Sequence, residues 1–143
     1  MLRLATVKDV DAMYGLFEKY IEETHNQIAS NEEYTKTFLY KHVIHANALS
    51  LLLIKEDKVQ GMLLALCDWH PFLQERMATE YIWWVNTAYR SKESLRMLDA
   101  YEYWAHYEMK ADKICLSSTT DKRIGKLFQR RGYLQKEIAW ERM

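Results

Sequence analysis

A mixed α/β domain built around one sheet is the fold class that the sequence predicts, and three observations predict it. The hydrophobic pattern switches along the chain between helical spacing and short apolar or alternating runs. The 143 residues suit one core and are short for two, and no repeat, low-complexity tract or linker divides them. The elements follow the order β-α-α-β-β-β-α-β-α-β, so residues 1–143 are expected to form a single domain.

Leu2 and Leu4 alternate with Arg3 as a short strand, and Thr6 stands three residues before Asp9 in a helix-capping pattern. Val10, Met13, Tyr14, Phe17 and Ile21 then recur at helical spacing to about Glu23. The polar stretch His25 to Ser30 ends that helix, and Asn31-Glu32-Glu33 opens a second. Tyr34, Phe38, Leu39, Val43 and Ala46 are its expected apolar face, with an end near Asn47.

Leu49–Ile54 and Val59–Cys67 predict a hairpin across a polar turn, Lys55 to Lys58. Asp68 to Phe72 contains the only proline, Pro71, and reads as a loop. Ala78–Asn86, rich in aromatic and β-branched residues, predicts a central strand. Leu95, Leu98, Tyr101 and Ala105 place a long helix from Ser91 to about Glu108. A strand over Lys113–Ser118, a helix over Asp121–Arg131 closed by Gly132, and a last strand over Tyr133–Arg142 complete the order.

Lys plus Arg equal Asp plus Glu at 20 each, so no overall field steers the chain to nucleic acid or an anionic membrane. No apolar run is long enough to span a bilayer, and the N-terminus lacks a secretory h-region. Cys67 and Cys115 lie in apolar runs, where a thiol acts as a small hydrophobe, so a reducing, cytoplasmic setting is expected.

Three segments carry a resemblance. Leu2-Arg3-Leu4-Ala5-Thr6-Val7-Lys8-Asp9 looks like the I-R-x-A-T-x-x-D opening of GNAT N-acetyltransferases. Trp83-Trp84-Val85-Asn86-Thr87-Ala88-Tyr89-Arg90-Ser91-Lys92 is similar to that family's L-x-V-x-P-x-Y-R-G-K. Asp121 through Leu127-Phe128-Gln129-Arg130-Arg131-Gly132-Tyr133 resembles its N-x-x-A-x-x-L-Y-x-K-x-G-F turn. The compactness and the opening resemble the small members often carried by bacteriophages. The resemblance implies the GNAT acyl-CoA N-acyltransferase fold with splayed central strands. It also implies transfer of acetyl from acetyl-CoA to a primary amine by direct attack in a ternary complex.

The resemblance also assigns roles. Trp83, Trp84 and Val85 would lend backbone to the pantetheine arm, and Arg90, Ser91, Lys92, Glu93, Ser94 and Leu95 would form the pyrophosphate loop, with Asp121 and Phe128 completing the cofactor set. A helix start bearing Ser91, Lys92 and Ser94 suits phosphate chemically, since free amides, hydroxyls and a partial positive charge converge there. The loop nevertheless lacks both glycines of the family's Q/R-x-x-G-x-G/A.

An attacking amine must lose a proton, and Glu80 is the expected base, with Glu75 as the alternative. Phe128 holds the position where the family often keeps a proton-donating tyrosine, leaving Ser117, Ser118 or Tyr133 for the thiolate. Asp68, Trp69 and His70 are candidates for an acceptor pocket fitted to a cationic amine. His42 and His45 stand one helical turn apart, but no ligand spacing completes a set, so no metal is expected.

The expected partners are acetyl-CoA and an amine acceptor, without nucleic acid or membrane; a homodimer stays open. The missing glycines and Phe128 keep a second reading open, a catalytically degenerate GNAT-fold protein that binds CoA, a protein partner or both.

Overall fold

The opening of the chain shows why Arg and Asp stand six residues apart. In the computed structural model, which describes residues 1–24, 31–117, 122–140 and 142, strand β1 (Leu2–Leu4) runs into a 3₁₀ turn over Val7–Asp9. Arg3 donates two hydrogen bonds to the Asp9 carboxylate at 2.8 and 2.9 Å, and the Thr6 N–H donates a third at 2.8 Å. The Arg3 hydrogen bonds hold the Asp9 carboxyl down at about 2, so strand end and helix start are locked together.

Helix α1 (Val10–Thr24) follows, then α2 (Glu32–Ile44), where Asn31 Oδ1 accepts the Tyr34 N–H at 2.9 Å as N-cap. Lys36 ties the two helices, reaching Asp11 at 3.0 Å and Glu32 at 2.7 Å. Met13, Leu16 and Leu39 pack on Leu52, Met62, Leu64, Ile82 and Trp84 of the sheet. Tyr34 and Phe38, expected on this apolar face, are 77% and 46% exposed, and Ala46 lies beyond the helix end. Leu39 is buried as expected and Val43 packs beside it, while His42, outside the expected face, also turns inward, so the buried stripe runs round the helix away from Tyr34 and Phe38.

Strands β2 (Ala48–Lys55), β3 (Lys58–Trp69), β4 (Arg76–Val85) and β5 (Lys113–Cys115) complete a sheet of order β1-β2-β3-β4-β5, in which β4 and β5 are parallel and the other described neighbours antiparallel. The β2–β3 turn is two residues long, because Lys55 and Lys58 already pair and Glu56 and Asp57 take left-handed φ of 54° and 61°. Asp68 and Trp69 belong to β3, paired with Met77 and Arg76, rather than to a loop.

Helix α3 (Lys92–Tyr103), extended by one π-helical turn over Trp104–Glu108, covers the second face. Its Met97, Leu98 and Tyr101 pack on Leu51, Leu53, Leu63 and Ala65. Helix α4 (Lys122–Arg130) ends at Gly132, whose φ of 91° suits glycine, while the Tyr133 N–H closes the helix on Phe128 O at 3.0 Å.

The strand expected over Tyr133–Arg142 does not form: among the described residues, 133–140 join no ladder. The pattern of Leu134, Ile138 and Trp140 is strand-like, but these side chains are 76%, 65% and 91% exposed, and the three-residue β5 offers little edge to pair with. No helix among the described residues is long and apolar enough to cross a membrane.

Gly61 pairs with Val85, and a Cβ there would meet Val85 Cγ2 at 2.8 Å and Leu53 Cβ at 3.3 Å. Gly61→Ala is therefore expected to destabilise by about 1–3 kcal/mol. Urea denaturation checks this, and an unchanged midpoint would show that Val85 moves aside freely.

Candidate active site

One inserted residue in β4 organises the site. Leu64 pairs with Ile82 but Ala65 with Glu80, so Tyr81 is a β-bulge. Upstream of it Ala78 packs with the α3 core; downstream Ile82 and Trp84 pack with α1 and α2, while Trp83 and Val85 turn to α3. Beside the bulge β4 and β5 separate. Their parallel pairing covers Met77–Thr79 against Lys113–Cys115, so among the described residues no strand pairs with the edge of residues 80–85 on that side.

Glu80 sits where the strands part. It is 6% exposed, and Oε2 accepts the Ser117 N–H at 3.3 Å. Burial pushes its carboxyl up to about 7, against the opposing effect of the Ser117 amide. Two tyrosines feel its charge from opposite faces of the sheet. Burial raises Tyr20 of α1 and Tyr101 of α3, and Glu80 raises both further. The Tyr101 hydroxyl donates to Cys115 O at 2.7 Å, which anchors β5 just before the divergence.

At the far end of this edge, Trp83 packs against Phe128 with ring centroids 6.5 Å apart, and its buried indole N–H has no hydrogen-bond partner among the described residues. The Trp84 N–H donates to Glu23 at 2.5 Å. Arg90 is held in place: Nε donates to Val85 O at 2.8 Å, Nη2 pairs with Glu23 at 2.9 Å, and the guanidinium lies 5.5 Å from the Trp84 ring centroid.

The start of α3 is capped by its own serines. Ser91 Oγ accepts the Glu93 N–H at 3.3 Å, and Ser94 Oγ accepts the Ser91 N–H at 2.9 Å. These hydroxyls take the place that glycines would leave open to a phosphate. Glu93 points to Lys55 (2.6 Å) and the N-terminal ammonium (2.8 Å), and its hydrogen bonds to them hold it at about 2. Lys92 is exposed, with no ion pair among the described residues, and Leu95 is 37% exposed.

Tyr133 donates to Glu102 Oε2 at 2.9 Å, and Arg131 pairs with both Glu102 and Asp99 (2.6 Å), fastening α4 to the flank of α3. Burial, then Glu102, raises the Tyr133 hydroxyl. Ser118 and Asp121, like the stretch His25 to Ser30, lie outside the described residues.

The three acceptor candidates are not brought together. Trp69 stands opposite Arg76, whose guanidinium lies 5.8 Å from its ring centroid and whose Nε donates to Met109 O beyond α3. Asp68, one residue earlier, therefore faces the α2 side. His70 Nδ1 accepts the Phe72 and Leu73 N–H groups, both at 3.1 Å, and so builds the turn. Glu75 pairs with Lys113 at 2.7 Å. His42 is buried, with Nδ1 2.8 Å from Ser50 Oγ, and His45 Nδ1 accepts the Asn47 N–H at 3.0 Å.

Sequence reasoning gave Glu23 no part in holding Arg90 and Trp84, and it missed the pair Asp99 and Glu102, which holds Arg131. Nothing local marks them, since their partners are 29 or more residues away.

No protein-family model and no curated protein sequence matches the chain. Solved structures do. A tetramutant of the BH1408 protein from Bacillus halodurans is similar at TM-score 0.80 and 17% identity, over 100% of this chain and 99% of that one. An aminoglycoside 6'-N-acetyltransferase from Acinetobacter haemolyticus is similar at 0.76 and 15%, over 100% and 97%. A ribosomal-protein-alanine N-acetyltransferase from Brucella melitensis biovar Abortus is similar at 0.71 and 12%, over 100% and 96%. With its five-stranded mixed sheet parting between β4 and β5, the chain has the fold of the GNAT acetyltransferases.

Proposed function

We propose that residues 1–143 form one N-acetyltransferase domain that moves acetyl from acetyl-CoA to a primary amine, with Glu80 as general base. The observation that carries this is a buried carboxylate, raised to about 7, placed where β4 and β5 part.

The residues present fit acetyl-CoA. The backbone edge of residues 80–84, which no described strand pairs on the β5 side, offers the amides and carbonyls that a pantetheine arm needs, and exposed Lys92 at the start of α3 offers a cation to the phosphates. Acetyl-CoA supplies a thioester carbonyl, at which the amine nitrogen forms the new C–N bond as the C–S bond breaks. Glu80 takes the proton that the ammonium must shed. With a pKa near neutrality, it is charged often enough to accept that proton and weak enough as a base to pass it on. Tyr133, tied to Glu102, would protonate the thiolate only by exchanging that partner, so water is the simpler donor.

Free Cys67 and Cys115 support a cytoplasmic setting. Asp68, on the α2 side of the sheet, is the acceptor contact this reading keeps of the three candidates.

Calorimetry with acetyl-CoA tests the proposal, and no binding at high micromolar concentration would overturn it. Binding without turnover on a broad amine panel would favour the degenerate reading, to which the self-capped α3 start lends support. Joint replacement of Arg90 and Lys92 by Ala is expected to weaken acetyl-CoA about tenfold and to flatten its salt dependence. Lys92→Ala alone should carry most of that, since Arg90 already has partners. Unchanged affinity in the double variant would remove both from the site.

A further inference from the structure

We propose that the outward face of α2 pairs two copies of this chain across a twofold axis at Thr37. The inner face of α2 is occupied by Leu39 and His42, yet the opposite side carries Tyr34, Tyr40 and Ile44 at 77%, 50% and 61% exposure. Exposed Glu33, Thr37 and Lys41 run between them as one row at spacing of four.

That row is self-complementary. Its ends carry opposite charges at equal distances from a small central residue. Rows at spacing of four incline to the helix axis, and two helices crossing at about −50° bring such rows parallel. With the second copy antiparallel about Thr37, Glu33 of each copy meets Lys41 of the other, and the small threonine permits close approach. Tyr34 lies to one side of the row and Tyr40 to the other. The same rotation sets each tyrosine against its own counterpart, where offset stacking adds to apolar burial. A lone helix face falls below the usual size of a stable interface, so a weak dimer is expected, with Kd on the order of tens of micromolar.

Sedimentation equilibrium of the full chain across that range is expected to show reversible dimerisation. Glu33→Lys and Lys41→Glu should each weaken it about tenfold or more, because symmetry creates two like-charge contacts in either variant. The two substitutions together should restore it. Thr37→Cys should form an interchain disulfide under mild oxidation, while wild type, whose cysteines are Cys67 (buried) and Cys115 (half-buried), should not. A chain that stays monomeric throughout overturns the proposal. So does a dimer indifferent to both charge reversals, or Thr37→Cys cross-linking no faster than Arg96→Cys on exposed α3 surface.

Discussion

Glu80→Gln is expected to lower kcat by about 10² to 10⁴ while making the protein more stable at pH 8. The carboxamide cannot take up a proton from the amine, but its oxygen still accepts the Ser117 N–H. The stability gain follows from the raised carboxyl. An unfolded Glu releases its proton near 4.5, the native one near 7, so between those values the native state holds the extra proton. Wild-type stability from this group is complete below about pH 4.5 and is lost as pH rises through about 7. Above that, the burial cost of the charge reaches about 3 kcal/mol, and glutamine removes it. Chemical denaturation at pH 4 and pH 8, paired with a pH–rate profile, checks both halves. Equal stability differences at the two pH values would mean that Glu80 is not desolvated as described, and an unaltered rate would end its role as base.

Arg131→Met is expected to release α4. This nine-residue helix is held by Phe128 in the core and by Arg131 and Tyr133 on Glu102, and the substitution leaves the half-buried Glu102 carboxylate without its cation. A loss of about 2–3 kcal/mol of local stability should raise amide exchange across 123–131 by roughly 30- to 150-fold. The strands should keep their protection. KM for acetyl-CoA should rise, because Phe128 would no longer brace Trp83 on the β4 edge. Exchange in α4 matching wild type would show that Phe128 suffices alone.

Where a periodicity met a matching partner, the sequence was a good guide. The capping pattern of Thr6 and Asp9, the helices from Val10 and Lys92, and the hairpin of β2 and β3 all rest on local signals that the tertiary structure reinforces. Alternation over 133–142 misled, because a strand needs an edge and β5 is three residues long. Glu80 was legible as a carboxylate on the right strand. Its burial was not, since that depends on Ser117, 37 residues away, and on the parting of strands distant in sequence. Arg90 reads as a phosphate ligand from its motif alone. Only the fold reveals Glu23 and Val85 O as its partners.

Tyr81 makes the length of β4 matter more than its composition. An odd residue within an alternating pattern works as a phase shift, placing Glu80 and Trp83, rather than Glu80 and Ile82, on the α3 side. Exchanging the Tyr81 side chain preserves that phase, because it belongs to the backbone count. Losing the residue cancels it, and the strand must then choose which half keeps its proper neighbours: Ile82 and Trp84 under α1 and α2, or Glu80 at the parting of the strands. A change of residue at this position costs the ring its edge contacts with Phe38 and His42, whereas a change in number costs the strand its phase.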